Sequence, residues 1–363
     1  MPVSDTKVNL SQVIAVRASL SIPAQALITA IMRITRQALN AAESSILLSE
    51  EEGSKLIFSY ADGPFGNKIN RLKISKKSGI AGLTLNTGKP MIANDARSNR
   101  FFNAFTDELT GHETKSIICA PMVSQHKVLG VIEVLNKLAA NGFGESDLKI
   151  LTKVTNTITQ LIESIQQSDS KLIPHKIATK ALLSAVEAGE AFNRGHARRV
   201  REYVVAAAEG FGLSREERQN AEYAAILHDT GKFPLDETAP ISPHDLNDKK
   251  MAEIRKHPVS GFKLLQGIEP LRAPGELVLC HHERYDGTGY PKGLAGDDIP
   301  AGARLIAAAD ALDNMAARDS DAGGMSRQDA LDELLRYAGS KFDPKAVQAI
   351  GASLGAPLAS GKP

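Results

Sequence analysis

The run His281-His282-Glu283-Arg284-Tyr285-Asp286-Gly287-Thr288-Gly289-Tyr290-Pro291 sets how the second half of this chain must be read. Adjacent histidines followed by Glu283 and Asp286 are poor material for a hydrophobic core. The Gly, Asp and Pro residues from Arg284 to Pro300 exclude regular structure and mark a loop. Paired imidazoles leading into such a loop direct attention to the other imidazoles and carboxylates. His175, His196, His228, His244, His257, His281 and His282 all lie beyond residue 170, whereas only His112 and His126 precede it. The chemistry is therefore expected in the C-terminal half.

In Leu227-His228-Asp229-Thr230-Gly231-Lys232 a histidine and an aspartate are neighbours on an expected helix. They project roughly a quarter-turn apart, so both can reach one ion, and the second carboxylate oxygen can reach another. Lys232, four residues after His228, lies on the same helical face and suits a phosphate oxygen. His257 stands in Lys256-His257-Pro258. Asp310 sits inside the apolar run Leu305–Leu312, where an unpartnered carboxylate is costly to bury and an ion would remove that cost. Asp313 follows one turn on, and His196 lies upstream in Gly195-His196-Ala197-Arg198-Arg199. Imidazoles and carboxylates without a recruited thiolate favour Fe, Mn, Zn or Ni. Two such ions roughly 3.5–4 Å apart lower the pKa of a shared water and clamp both oxygens of an in-line phosphoryl displacement. Any one histidine is more often a structural group than a ligand, and His175 and His244 are read that way. Cys280 reads as a buried apolar residue. The whole ordered set is what points to a metal site.

Around this set the pattern is helical, with stretches at Ile177–Ala191, Gly195–Gly210, Arg215–Thr230, Leu246–Gln266, Leu277–Glu283, Ala301–Ala317, Ser326–Tyr337 and Pro344–Ser353. The first half differs. Ser21-Ile22-Pro23 reads as a helix start. Strand-like pieces follow at Ser44–Leu48, Lys55–Tyr60 and Arg71–Ile74, then a short helix at Ile80–Asn86. Ser116–Val123 and Lys127–Leu135, joined at Ser124-Gln125-His126, read as a β-hairpin. A helix from Glu145 closes the domain, with Leu151, Val154, Ile158, Leu161 and Ile165 at heptad spacing. That seam fits either a parallel dimer or docking onto the sheet. The order predicts an α+β domain with an antiparallel sheet, then an all-α domain. The expected boundaries are a sensor over 1–165, a helical linker over 166–174, with Pro174 interrupting the helix, and the metal-bearing domain over 175–363.

The remaining composition is unexceptional. A formal net charge of +1 gives no reason to expect a nucleic-acid binder. Two cysteines far apart in sequence exclude a disulfide scaffold. No run approaches the roughly 18 apolar residues of a membrane span, and Met1–Asp5 lacks a secretory pattern, so a cytoplasmic protein is expected.

Residues from about 175 onward resemble an HD-GYP domain, a subclass of the HD phosphohydrolases, through His228-Asp229, His257, the 281–291 run, Lys292-Gly293-Leu294, Ile299-Pro300 and Ala338–Pro344. Residues 10–165 resemble a GAF domain, in which cyclic-nucleotide-binding members carry N-K-x5-F-x3-D-E. Asn136, Lys137, Phe143 and Asp147 match, and Leu148 replaces the last acid. The resemblance implies hydrolysis of cyclic di-GMP to linear pGpG or GMP, regulated by the GAF domain. It implies metal ligation by His228, Asp229, His257, His281, His282 and Asp310, with Asp229 bridging and His196 completing the set. It further implies two divalent ions, iron first, and Lys232 holding or protonating phosphate oxygens. Tyr290 shapes the loop beside substrate. A homodimer, a cyclic nucleotide in the GAF domain and diguanylate-cyclase-type partners at Gly289-Tyr290-Pro291 are also implied. Two departures stand out. Phe192 occupies the position of a glutamate that supports a third ion, with Glu190 nearby but off-face. The phosphate-gripping Arg-Pro-Tyr stretch is reduced to Arg318. The alternatives are a signalling module that binds metal and nucleotide without efficient turnover, and a phosphohydrolase for another cyclic nucleotide.

Overall fold

The computed structural model describes residues 22–50, 54–64, 66–69, 71–125, 127–166, 173, 175–189, 195–233, 248–316 and 325–355. Contacts divide the chain after Gly189 into two units. Phe192, Glu190, His126, His244 and Arg318 lie outside the described residues.

In the first unit, six strands form an antiparallel sheet in the order β3-β2-β1-β6-β5-β4. They are β1 (Ala41–Ser49), β2 (Lys55–Asp62), β3 (Lys73–Ser75), β4 (Met91–Ala93), β5 (Ile117–Ser124) and β6 (Lys127–Lys137). The predicted hairpin is β5–β6, closing at Ser124↔Lys127. The three-residue β4 is too short to leave a periodic trace. Helices α1 (Ile22–Ala38), α5 (Glu145–Gln166) and α6 (His175–Gly189) pack on one another, with α1 against β1 and α5 against β5. Short helices α2 (Gly66–Ile69), α3 (Gly79–Thr87) and α4 (Phe105–Thr110) complete the unit, α3 lying on β5 and β6.

Two expectations change here. The heptad residues Leu151, Val154, Ile158 and Leu161 are at most 1% exposed, their apolar faces taken up within the unit. Over these four side chains the seam is spent on docking within the unit. Helix α6, expected at the head of the second domain, packs on α1 and α5 through buried Ala178, Ala181, Leu182, Ala185 and Val186.

The Asn136-Lys137-Phe143-Asp147 set clips β6 to α5. Asn136, at φ +58°, accepts from the Lys115 and Ser116 N–H groups (2.8 and 3.3 Å) and donates to the Glu113 carbonyl (2.9 Å). The Lys137 ammonium meets Asp147 at 2.8 Å and lies 5.6 Å from the centre of the buried Phe143 ring. Asp147 also accepts from Gly144 N–H at the start of α5.

The second unit contains α7 (His196–Ala207), α8 (Arg215–Leu227), α9 (Asp248–Ile254), α10 (His257–Leu265), α11 (Arg272–Cys280), α12 (Ala301–Ala316), α13 (Arg327–Arg336) and α14 (Pro344–Ser353). A reciprocal cap between Ser214 and Glu217 starts α8. Helix α7 packs on α8, α12 and α14, while α8 packs on α11 and α12. The single helix expected over 246–266 is split, because Pro258 sits in the first turn of a new helix that opens at His257. The described residues of this unit contain no strand beyond isolated bridges.

Candidate metal centre

Each metal-site residue sits at or near a helix end or on a helix face turned inward. His228 caps α8, and Asp229 precedes a 3-10 turn, Thr230–Lys232. The α-helix expected to run on to Thr230 stops at Leu227, so Lys232 reaches Asp229 across that tighter turn. This turn rests on the start of α10 so closely that a Cβ on Gly231 would lie 2.0 Å from the His257 carbonyl oxygen. His281 caps α11, with His282 beside it. Asp310 and Asp313 lie one turn apart on α12, and His196 opens α7.

Tertiary structure gathers these into two groups. His257, His281 and His282 bring one donor atom each within 4.8 Å of one another, and so do His196, His228 and Asp310. Asp229 lies between. Its Oδ1 is 3.4 Å from His257 Nε2, and its Oδ2 is 3.6 Å from both His196 Nε2 and His228 Nε2. Asp229 Oδ1 is buried and has no hydrogen-bond partner among the described residues.

The imidazole tautomers follow from the backbone. Nδ1 of His228, His257 and His281 lies 2.9, 2.7 and 2.7 Å from the carbonyl oxygens of Ala225, Ile254 and Val278. A carbonyl only accepts, so each Nδ1 carries the proton and each Nε2 of a neutral ring presents a lone pair. His196 Nε2 and His228 Nε2 lie 3.2 Å apart, where the proton held on His196 can be shared between them. His257 Nε2 and His281 Nε2 also face each other at 3.2 Å, and their opposed lone pairs repel. Metal–nitrogen bonds of about 2.0–2.1 Å place two ligand atoms roughly 3.0–3.4 Å apart, so an ion resolves the arrangement. The donor set thus fits divalent metal.

Charge is arranged to the same end. Burial pulls His257 down to about 4 and holds His281 well below its ordinary value, so both are neutral near pH 7. Burial alone would raise Asp229, but Lys232, at 2.7 Å, and nearby imidazoles outweigh it and hold the carboxyl well below the usual range. Asp310 is held low against its burial by His196 and His228. Burial also opposes a charged His196, yet bonding to Asp310 and Asp313 carries that ring up to about 10. The proton so held competes with an ion for Nε2, as expected where metal binding releases protons.

Several residues around the site have supporting contacts that the sequence did not assign, and Arg255 was not singled out at all. Asp313 meets His196 Nδ1 at 2.7 Å and is itself held by Arg199 at 2.7 and 3.0 Å, an orienting carboxylate of the kind that metal-binding histidines recruit. Glu283, 3% exposed, accepts from the Lys292 and Leu294 N–H groups and pins the loop. A Cβ on Gly289 would lie 2.2 Å from Arg284 N, so only glycine lets the loop fold back there. The Tyr290 ring stacks on His282, with centroids 5.1 Å apart. The exposed Arg255 guanidinium lies 5.7 Å from the Tyr290 ring centre. Asp313's i+3 spacing from Asp310 was its only sequence signal. Arg255 had none, since its proximity depends on the loop folding back.

Residues 180–346 match the HD domain family and residues 23–162 match the GAF domain family. A cyclic di-GMP phosphodiesterase response regulator of Xanthomonas campestris is 38% identical over 145 residues, covering 39% of this chain and 38% of that protein. A 3'3'-cGAMP-specific phosphodiesterase of Vibrio cholerae is 30% identical over 223 residues, covering 61% of this chain and 43% of that protein. The chain thus spans less than half the length of these relatives. Among solved structures, an HDG"Y"P protein from Bdellovibrio bacteriovorus aligns at 18% identity with a TM-score of 0.41, covering 62% of this chain and 83% of that one. Among the described residues no helix is long and apolar enough to cross a membrane.

Proposed function

We propose that this chain, in which a GAF domain is followed by an HD domain, hydrolyses cyclic di-GMP to linear pGpG or GMP at the site described, with the GAF domain modulating the rate. The observation that carries the reading is the pair of three-donor groups joined by Asp229, whose two carboxylate oxygens face different groups. Two divalent ions, iron first and Mn, Ni or Zn as substitutes, would be held there and would supply water of lowered pKa and neutralise phosphate charge.

The chain's own residues do the rest. Lys232, paired with Asp229 Oδ2, is placed to hold a phosphate oxygen and to give a proton as the ester bond breaks. Burial raises the Tyr290 phenol, which therefore stays protonated and available as a donor. Arg255 supplies a planar, permanently charged fork at the loop, suited to a phosphate group. Asp313 and Arg199 keep His196 oriented.

A second substrate is favoured by one observation. The relative that covers 61% of this chain is named for 3'3'-cGAMP. The class proposed is therefore 3',3'-cyclic dinucleotides, with cyclic di-GMP first. The test is anaerobic purification with metal analysis, followed by turnover of both dinucleotides and chelation. Metal-dependent release of linear dinucleotide, lost on chelation and restored by Fe or Mn, is the expected result. Loaded protein that leaves both substrates intact overturns the proposal.

A further inference from the structure

The first unit holds a partly open cavity of about 450 Å³ lined by the sheet and by helices α3 and α4. Its walls are largely apolar, with Phe58, Ile80, Ile117 and Leu135 among them. Two glutamates interrupt this lining. In the sheet register, Ser45 lies opposite Glu133 and Glu43 lies opposite Leu135, so Glu43 and Glu133 share one face as diagonal neighbours. Such neighbours are about 7–8 Å apart at the backbone, within reach of one small group between their side chains.

Neither glutamate meets a lysine or arginine at ion-pair distance among the described residues. Glu133 is 6% exposed, and one of its oxygens accepts from the Ser45 hydroxyl at 2.7 Å. Its other oxygen has no donor among the described residues. Glu43, 9% exposed, faces His112 Nε2 at 2.9 Å. Arg36, the cation that acts on Glu43 from nearby, is committed to Asp62 at 2.8 Å. The lysines that reach the lining, Lys55 and Lys73, are exposed, and Lys73 pairs with Glu50.

We infer that this cavity binds a small organic cation, an ammonium or guanidinium on an apolar body, whose charge sits between Glu43 and Glu133. An unpaired buried carboxylate is costly, and a cation that brings N–H donors removes the cost. An anionic ligand such as a cyclic nucleotide gains nothing from this interior. The residues that suggested one, Asn136, Lys137, Phe143 and Asp147, are absent from the cavity lining. Burial also lifts both carboxyls to about 7, so the empty cavity is partly protonated and a cation entering near pH 7 displaces protons. The other titratable groups facing the pair are Asp107 and His112, with Cys119, whose buried thiol is pushed up and stays neutral. The inference is independent of what the HD domain hydrolyses.

The test is calorimetry and thermal unfolding on the full chain at pH 7 with methylguanidinium, agmatine and phenethylamine. Cyclic AMP and cyclic GMP serve as anionic controls. Saturable binding of a cationic probe is expected, with proton release seen as a dependence of the heat on the buffer's ionisation enthalpy. Affinity is expected to drop at least tenfold in Glu133→Gln and in Glu43→Gln, either of which suffices if the other fails to fold. Absence of saturable binding by all three cations overturns the inference. So does binding that both substitutions leave unchanged, or saturable binding of a cyclic nucleotide that competes with the cations.

Discussion

The two units bury carboxylates in opposite ways. In the second, Asp229 and Asp310 are surrounded by imidazoles and Lys232 and are held well below the usual carboxylate range. In the first, Glu43 and Glu133 have a histidine and a serine hydroxyl for company, and both rise to about 7. Burial is common to all four; the surroundings decide the outcome. An acid kept ionised among neutral Nε2 lone pairs is prepared for a resident ion. An acid left half-neutral beside open space is prepared for a cation that comes and goes.

The contrast can be broken most sharply at Asp229. Asp229→Ala removes the carboxylate that, among the described residues, faces both donor groups, so hydrolysis and bound metal are both expected to fall to background. Retained metal at full stoichiometry would show that the groups act separately.

Glu133 tests the other side. Its carboxyl is lifted from 4.5 to about 7, so between those values the folded chain holds a proton that the unfolded chain releases. Unfolding free energy from this group therefore falls as pH rises from about 4.5 to about 7, by about 3 kcal/mol in all, and levels off above. Glu133→Gln is expected to flatten that slope for the first unit and to raise its Tm above pH 7. Denaturant midpoints measured across this range check it, and an unchanged slope refutes the assignment.

Asp313 refines the metal side. Asp313→Asn keeps the shape but weakens the orientation of His196, so metal affinity is expected to fall about 10–100-fold while the fold persists. Metal titration followed by unfolding curves separates the two effects. The smallest effect is expected at Arg255. Arg255→Ala is expected to raise KM for the dinucleotide by up to about tenfold, with kcat little changed, if the guanidinium contributes uniform binding. A matching loss in kcat would place it at the reacting phosphate instead.

Legibility differed between the units for a chemical reason. His228-Asp229, His281-His282 and Asp310 stand out because such residues are out of place where the apolar pattern demands core. Glu43 and Glu133 are invisible by the same test. On an alternating strand an acid reads as a solvated face, and only the cover of α3 and α4 over that face makes it interior. Helix positions in the second unit were readable from 3.6-residue periodicity, and α14 begins and ends where its pattern does. The break at His257 was missed because one proline was set against a long apolar repeat. The heptad on α5 could not say whether its partner was a sheet or a second helix, since both bury the same stripe.

By itself the sequence set the order of an α+β domain and a helical one, the candidate metal-site residues and the loop that follows them. These depend on local chemistry: periodicity, turn residues and polar groups in apolar settings. Tertiary structure alone decided that three backbone carbonyls set the imidazole tautomers, that the described part of the α5 seam is spent within its own unit, and that two glutamates line a cavity. Each of these depends on which distant segments meet, and side-chain identity does not encode that one residue at a time.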